Sequence, residues 1–352
     1  MLTTRQKVLR RFWYAVIPLG DLQSGPKPFR LLGEDIVLFL DAEGNPAALK
    51  DRCCHRTSKL SRGWCKDGNI VCGYHGWTYD RTGALVHVPQ FPFEQEIPNL
   101  STPGYRCVAR YGYAWVALDE PLAPIFDAGE EHDRRFRRIP QFYEVWNTSA
   151  LRLMENSFDT AHFAFVHRGT FGQIDHPQPE KFQITETDYG FEAETLITVA
   201  NPGVQHRISG TSEPTTKRHM RNKWYMPFCR KLDIEYPSGL RHVIFNSATP
   251  IDDGHIQLVQ WLYRNDTEAD CPAQELIDWD FAITREDKDM IESTDPDTPV
   301  DMERRVEAHM VSDRPGMIMR RRLMKLLKDH GEAEVFAPHN AGDPSSAAIA
   351  AE

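Results

Sequence analysis

Short runs of apolar residues, separated by turn residues, dominate the first part of the chain, and such runs predict β-strands rather than helices. The turn-forming stretch 41–46 lies between two of them and predicts a hairpin over residues 28–50. Residues 51–90 are rich in Cys, His and Gly and lack helical periodicity, so we expect loops on a small β scaffold there. The candidate strands are 10–20, 29–32, 36–40 and 111–118.

The pattern changes after residues 119–141, which are rich in Pro and charge and mark the best candidate for a domain boundary. Between residues 181 and 265, strand-like runs alternate with turns, which favours an antiparallel sheet. Helical periodicity appears in 272–292, which Pro272 opens, and in 317–328. We therefore predict an α+β fold with a β domain at 1–125, a second domain of sheet and helices at 126–337, and a disordered tail at 338–352.

Composition limits the class of protein. With 352 residues, 41% of them hydrophobic and 11% aromatic, the chain is that of a folded protein long enough for two domains. A net charge of -10 argues against a general nucleic-acid binder, which needs a basic surface. No apolar run approaches the roughly 18 residues that span a bilayer. Seven unevenly spread cysteines do not predict a disulfide framework. We expect a cytoplasmic protein that binds neither nucleic acid nor membrane.

Residues 156–167 place two histidines and a carboxylate among apolar residues, where unpaired polar groups are costly. Asn156, Asp159 and His162 are three apart, so on a helix each is a near neighbour of the next. His162 and His167 are five apart, about 140° round an ideal helix, so one metal holds both only if the helix bends or ends between them. Two His and one carboxylate form the common open site for non-haem iron. The alternative is an amphipathic helix whose histidines cap or pack.

A second group of metal-ligating residues lies on two loops, Cys53-Cys54-His55 and Cys72-Gly73-Tyr74-His75. A Rieske [2Fe-2S] centre needs two thiolates on one iron and two imidazoles on the other. Each loop supplies one of each, through Cys53 with His55 and Cys72 with His75. The alternative is a zinc site of two Cys and two His, but zinc fingers usually keep like ligands together. Cys54 lacks a paired His at the right offset and is interpreted as a packed neighbour of the ligands.

Together these motifs resemble the oxygenase (α) subunits of the Rieske non-haem iron oxygenases. The resemblance covers nearly the whole chain and has both metal motifs in the family's order. It implies a small Rieske β domain followed by a catalytic domain with a curved antiparallel sheet and covering helices. The residues that carry it are Phe12–Val16, Cys53–Arg56, Cys72–Trp77, Asn156–His167 and Glu286–Lys288.

The resemblance also implies roles for individual residues. His162 and His167 would be two iron ligands, and Asp287 the third, with Glu286, Asp289 and Glu292 as competitors on the same helix. Asp159 would bridge a cluster histidine of one subunit to an iron histidine of its neighbour in a head-to-tail homotrimer. Asn156 would lie close to the iron without binding it strongly.

The length of the chain and its opening residues most resemble the branch that contains vanillate and dicamba O-demethylases and purine N-demethylases. This branch implies a monooxygenase that uses O₂ to hydroxylate or demethylate a small aromatic or heterocyclic substrate. No Gly-x-Gly-x-x-Gly follows a strand, so electrons from NAD(P)H would come through a separate flavin reductase, with or without a ferredoxin. The alternatives are cis-dihydroxylation of an aromatic ring, or a Rieske electron carrier without oxygenase activity. Plausible pocket residues are Trp224, Phe245, Asn246 and Trp261.

Overall fold

The computed structural model describes residues 1–92, 96–178, 180 and 182–341, and the chain forms two compact units. The first unit comprises Leu9–Ile125 and Thr249–Asp252, and the second comprises Met1–Val8, Phe126–Ala248 and the residues from Asp253 onward. Within the described residues, every helix is too short or too polar to cross a membrane.

The first unit is built from β-strands, as its short apolar runs predict. A six-stranded antiparallel sheet has the order β1-β10-β9-β4-β3-β2, and a four-stranded sheet has the order β5-β6-β7-β8. Apolar side chains from both sheets form one core, into which Cys53 and Cys72 are also packed. The strands are β1 Tyr14–Pro18, β2 Lys27–Leu31, β3 Glu34–Leu40, β4 Pro46–Lys50, β5 Trp64–Lys66, β6 Asn69–Val71, β7 Thr78–Tyr79, β8 Leu85–His87, β9 Gly104–Arg110 and β10 Tyr113–Ala117.

Among its described residues, the second unit contains a seven-stranded antiparallel sheet of order β11-β17-β16-β15-β14-β13-β12, together with five α-helices. This confirms the predicted α+β fold. The strands are β11 Arg137–Trp146, β12 Gln183–Thr187, β13 Gly190–Ala200, β14 Thr215–Tyr225, β15 Cys229–Glu235, β16 Arg241–Pro250 and β17 Ile256–Arg264. The helices are α1 Ala150–Ser157, α2 Phe163–Val166, α3 His206–Ser209, α4 Ala273–Ile291 and α5 Arg314–Asp329.

One face of this sheet packs on the helices that carry the predicted iron ligands. Along β14, the even-numbered positions from Thr216 to Trp224 are buried, while the odd-numbered ones are partly or fully exposed, as the two-residue period of a strand requires. Apolar residues of β13, β14 and β15 form a cluster with Phe163 of α2 and Ile283 of α4. The sheet therefore provides a rigid support for both helices.

The expectation that Asn156, Asp159 and His162 lie on one helix is wrong. Helix α1 ends at Ser157, whose hydroxyl donates to the Leu153 carbonyl at 2.7 Å. The Asp159 carboxylate then accepts the Ala161 N–H at 2.7 Å, and this local turn competes with helical hydrogen bonding. The next helix is the single turn α2. His162 precedes it and His167 follows it, so the helix ends between the two histidines, as a shared metal requires.

The predicted boundaries differ from the observed units at both ends of the chain. Met1 belongs to the second unit because its amino group donates to Asp297 and, at 2.6 Å, to the Thr298 carbonyl. At the other end, Asn340 is 5% exposed and donates to Asp295 and Asp297 at 3.0 and 3.1 Å. Hydrogen bonds therefore order the start of the predicted tail through Ala341, and residues 342–352 lie outside the described residues. The sequence did not predict strand β11, half of which lies within the predicted boundary segment, because Pro140 and the charged residues of the strand conceal the strand pattern.

Candidate functional site

The structure brings His162, His167 and Asp287 together in the second unit. The Nε2 atoms of the two histidines are 3.2 Å apart. Oδ1 of Asp287, on α4, lies 3.4 Å from His162 Nε2 and 3.3 Å from His167 Nε2. Three atoms that each bind one ion at about 2.1 Å, with angles of 90–110° between them, lie roughly 3.0–3.4 Å from one another. The three side chains therefore have the spacing of a preformed metal site.

Each histidine also has a carboxylate behind it. Asp159 Oδ2 lies 3.2 Å from His162 Nδ1, and Glu286 Oε2 lies 2.9 Å from His167 Nδ1. When Nδ1–H donates to a carboxylate, a neutral imidazole presents a lone pair at Nε2. Two lone pairs and the Asp287 carboxylate then converge on one point without a proton between them. This donor set fits a divalent iron.

The charges of the site also favour a bound metal cation. Burial acts to raise the pKa of the Asp287 carboxyl, but its contacts with His162 and His167 outweigh that effect and lower the pKa well below the usual value. Burial acts to lower the pKa of His162, but the carboxylates of Asp159 and Asp287 raise it to about 9. The site therefore attracts positive charge, for which a proton and a metal ion compete.

Of the four acids that were candidates for the third ligand, three on α4 and Glu292 just after it, only Asp287 lies close to both histidines. Glu286 binds His167 from behind, as described above, and also accepts a hydrogen bond from the Thr170 hydroxyl at 2.8 Å. Glu292 accepts the Asn147 N–H at 2.8 Å, and Asp289 is exposed. Nothing in the sequence spacing distinguished the role of Glu286 from that of its neighbour.

Asn156 and Asp159 lie on two sides of this site. Asn156, near the end of α1, donates from Nδ2 to Asp287 Oδ1 at 3.0 Å, which orients that carboxylate. The side chain of Asp159 is 29% exposed. Burial acts to raise the pKa of the Asp159 carboxyl, but its hydrogen bonds with His162 and with nearby backbone N–H groups lower it overall. Asp159 is therefore an anion that contacts the site and also reaches the surface.

In the first unit, the two predicted thiol ligands are buried and the two predicted imidazole ligands lie toward the surface. Cys53 and Cys72 are 2% and 1% exposed. His55 is exposed and His75 half-buried, and their rings are 4.6 Å apart. Backbone N–H groups of Tyr74 and His75 act on the Cys72 sulfur to lower its pKa, against the larger effect of burial, which raises it. A buried pair of sulfurs and an outward pair of imidazoles fit a cluster whose two irons have different ligands.

Two aromatic residues support these loops, although sequence spacing gave them no role. The Trp77 ring stacks on the His55 ring at 4.4 Å between centroids. The Tyr79 hydroxyl lies 3.0 Å from the Cys53 sulfur and 3.2 Å from the Cys54 sulfur. Cys54 is exposed, so the interpretation of it as a packed residue is wrong.

A cavity in the second unit opens onto the His162, His167 and Asp287 side chains. The space between its walls and its mouth, open solvent included, is about 830 Å³. Most of its wall is apolar and comes from the sheet and from α1 and α4. The polar side chains that also line it include Asn246, Gln260, His242 and Asp280.

Of the four predicted pocket residues, Asn246 lines the cavity and the other three are core. On β16 the even-numbered residues face the cavity, so Phe245 points to the opposite side of the sheet, where it stacks on Trp261 at 5.3 Å. Trp224 is fully buried and donates to the Pro227 carbonyl at 3.0 Å. Finding an aromatic residue in a strand near the site was therefore not enough to predict that it lines the cavity wall.

Comparison with known proteins agrees with this geometry. The family described as vanillate O-demethylase oxygenase C-terminal domain matches residues 146–329, and the Rieske [2Fe-2S] domain matches residues 12–100. Methylxanthine N1-demethylase NdmA of Pseudomonas putida is 30% identical over 347 residues, covering 94% of this chain and 93% of that protein. Methylxanthine N3-demethylase NdmB of the same species is 28% identical and covers 70% of each.

Solved structures show the same relationship. NdmA of Pseudomonas putida in complex with caffeine is similar with a TM-score of 0.75 at 28% identity, over 93% of both chains. Dicamba monooxygenase bound to dicamba has the same fold, with a TM-score of 0.75 at 21% identity, over 92% of this chain and 98% of that one. The cofactors are accordingly a Rieske [2Fe-2S] cluster and a mononuclear iron. The chain belongs to the Rieske non-haem iron oxygenases, as an oxygenase (α) subunit of the demethylase branch.

Proposed function

We propose that this protein is the terminal oxygenase of a monooxygenase system that hydroxylates, or removes a methyl group from, a small aromatic or heterocyclic substrate. The observation that carries the proposal is the convergence of His162, His167 and Asp287 at the base of a mostly apolar cavity. The relatives are methylxanthine N-demethylases, and their names supply the substrate class. Oxidation of a methyl group on nitrogen or oxygen would release formaldehyde.

The residues of the two metal sites have distinct proposed tasks. When bound, a ferrous ion would supply O₂ activation and the cluster would supply electrons. His162, His167 and Asp287 would hold the iron. Cys53, His55, Cys72 and His75 would hold the cluster.

Neighbouring side chains would fix those iron ligands. Asp159 and Glu286 would each hold an Nδ1 proton, which keeps Nε2 of the two histidines free to bind metal. Asn156 would hold Asp287 in its orientation without binding the iron itself. The apolar wall would exclude water and orient the methyl group of the substrate toward the ligands.

A head-to-tail homotrimer, with Asp159 between subunits, is part of the proposal. Asp159 reaches the surface, and its Oδ1 accepts the Ala161 N–H. A groove nearby is lined by Ala161, Phe165, Met310 and Val311, and the last three are 55%, 65% and 88% exposed. An apolar surface of this kind is typical of an interface. A cluster imidazole from a neighbouring subunit would complete the contact.

Electrons would reach the cluster from a separate NAD(P)H-dependent flavin reductase, directly or through a ferredoxin. His55 lies exposed and next to His75, so the cluster edge would be accessible to such a partner. None of the seven cysteines, all of them within the described residues, forms a disulfide, which supports a reducing compartment and the cytoplasm as the proposed location.

The test is a screen of aromatic methyl ethers and N-methyl heterocycles with a surrogate reductase and ferredoxin. We expect substrate-stimulated O₂ uptake and formaldehyde in equal amounts from the parent protein. The same result is expected from Asp289→Ala, and none from His162→Ala, which lacks an iron ligand. A cis-diol product without formaldehyde would favour the dihydroxylase alternative. A protein that is reduced and reoxidised by partners, without substrate-dependent O₂ uptake, would be an electron carrier.

A further inference from the structure

The guanidinium of Arg218, in the cavity wall, lacks the partner that a buried charge requires. Arg218, at one of the inward positions of β14, is 4% exposed. Its Nε is fully buried and makes no hydrogen bond. Among the described residues, no carboxylate lies within 4.0 Å of its guanidinium nitrogens. Burial of an unpaired charge is one of the most unfavourable arrangements in a folded protein.

The other deeply buried arginines of the second unit are paired, so Arg218 is an exception within its own fold. Arg264, which is 0% exposed, binds Asp266 at 2.7 Å and the Ile208 carbonyl at 3.0 Å. Arg320, 3% exposed, binds Glu155 and Glu307 at 2.5 and 2.6 Å. Both of these guanidinium groups have an acid beside them. Arg230, the other arginine of the cavity wall, has no ion pair with an acid among the described residues, but its Nε donates to Asn222 Oδ1 at 3.0 Å.

The surroundings of Arg218 are apolar apart from the open cavity. Its guanidinium carbon lies 4.4 Å from the centre of the Phe171 ring, and Met220 and Ile234 belong to the same cluster as that ring. Contact with a ring face offsets part of the cost of burying the cation but leaves its N–H donors unused. Arg218 lines the cavity, so those donors are available to a molecule bound there.

The position of Arg218 relative to the iron ligands suits a substrate of one aromatic ring. Phe171 also stacks on His167, with 4.7 Å between ring centres. The distances of 4.4 and 4.7 Å to the shared Phe171 ring place the guanidinium carbon within about 9 Å of the His167 ring centre. Arg218 and the metal ligands line the same cavity, so a substituted benzene ring bound there can contact both.

The acids that line the same cavity do not satisfy Arg218, because each has partners of its own. Asp280 Oδ2 accepts hydrogen bonds from His242 and Gln141 at 2.9 and 2.5 Å. Asp287 is held by the two iron histidines and Asn156. Neither acid therefore pairs with Arg218, and the guanidinium groups of Arg218 and Arg230 are the charges of the wall without an acid beside them among the described residues.

We propose that Arg218 binds a carboxylate of the substrate, so that this oxygenase acts on an anionic aromatic acid that carries the methyl group. The inference rests on the proposed function and gives it a substrate class. Caffeine and other methylxanthines, which the relatives act on or bind, are not aromatic acids, so selectivity for a carboxylate would separate this chain from them. A carboxylate accepts two parallel N–H bonds from a guanidinium, which fixes the ring of the substrate in one orientation.

The binding test uses protein loaded with both metal centres and measures ligand affinity by equilibrium dialysis, without turnover. The probes are the three ring isomers of methoxybenzoate and the corresponding methoxybenzamides, which match them in shape but are neutral. We expect at least one methoxybenzoate to bind about 10-fold or more tightly than its amide. Arg218→Gln is expected to weaken the binding of that methoxybenzoate about 100-fold and to change amide binding little. Lys217→Gln, an exposed neighbour on β14 with the same loss of charge, is the control and keeps parental binding.

Stability provides a second test that a purely structural arginine would fail. Arg218→Met replaces a lone buried charge by an apolar chain of similar length, and we expect an equal or higher thermal midpoint in the absence of ligand. A lower midpoint in Arg218→Met, together with parental methoxybenzoate binding in Arg218→Gln, would show that Arg218 serves the fold and would overturn the proposal.

The outcomes separate this inference from the proposed function. Methoxybenzamides that bind as tightly as methoxybenzoates, no binding of any methoxybenzoate, or equal losses in Arg218→Gln and Lys217→Gln would each overturn the role of Arg218. Demethylation of neutral compounds alone would do the same while the proposed function stands. Arg218-dependent carboxylate binding without any oxygenated product would support the inference and refute the proposed function.

Discussion

Glu286 offers a specific test of how the second unit builds its metal site. Its Oε2 accepts from His167 Nδ1 and from the Thr170 hydroxyl at 2.9 and 2.8 Å, and its side chain is 23% exposed. Glu286→Ala removes the group that fixes the tautomer and the ring plane of His167. Glu286→Gln keeps an oxygen in reach of Nδ1–H but removes the charge. Neither substitution removes an iron ligand.

The expected loss follows from these contacts. Removing a carboxylate that orients a metal-binding histidine typically weakens metal affinity roughly 10- to 100-fold, or about 1.4–2.7 kcal/mol. His167 is 2% exposed, so water cannot easily replace Glu286 as the acceptor, and Glu286→Ala should lie near the upper end. Glu286→Gln should lie near the lower end, because a neutral hydrogen bond remains.

The assay is an anaerobic competition for Fe(II) between the protein and a coloured chelator, with the cluster content measured separately. Asp289→Ala is the matched control, since this exposed acid lies three residues later on α4. Parental affinity in Glu286→Ala, or an equal loss in Asp289→Ala, would refute the conclusion that Glu286 orients His167.

Three further predictions concern other parts of the molecule. Cys72→Ser should abolish the low-average-g EPR signal of an imidazole-ligated [2Fe-2S] cluster while Cys54→Ser keeps it, and stoichiometric zinc without sulfide would contradict the cluster assignment. The Asp159→Asn protein should bind both metal centres and accept an electron at the cluster. After rapid mixing with substrate and O₂, its cluster should stay reduced. Oxidation of the cluster at the parental rate would exclude Asp159 from the electron path. Arg320→Leu should lower the free energy of unfolding by about 1–3 kcal/mol, because Glu155 and Glu307 lose a buried cation and keep only Arg152 beside them. An unchanged thermal midpoint would contradict this.

Local sequence was sufficient for features that depend on neighbouring residues. Mixed Cys-x-His and Cys-x-x-His pairs indicated a cluster because each iron needs like ligands from different loops. The five-residue spacing of His162 and His167 required a helix end between them, and α2 ends there. The helical interpretation failed at Asp159, where a side chain that bonds to the backbone two residues later outweighs helix propensity.

Features that depend on distant residues were not accessible in the same way. Asp287 came from resemblance, and Glu286 looked like a competing ligand until α4 placed it behind His167. The prediction that Phe245 and Trp261 line the cavity was wrong because a shift of one residue along a strand moves a side chain to the other face of the sheet. Arg218 attracted no attention in the sequence, since only the fold shows that a positive charge there has no acid beside it.

The central claim is that His162, His167 and Asp287 hold the iron at which substrate is oxidised, and one comparison tests it directly. Iron content, cluster EPR and formaldehyde release are measured together in Asp287→Ala and in Asp289→Ala, on the same helix. We predict that Asp287→Ala keeps the cluster signal but loses the mononuclear iron and formaldehyde release, while Asp289→Ala keeps all three. Retention of both iron and formaldehyde release in Asp287→Ala would contradict the assignment of the site.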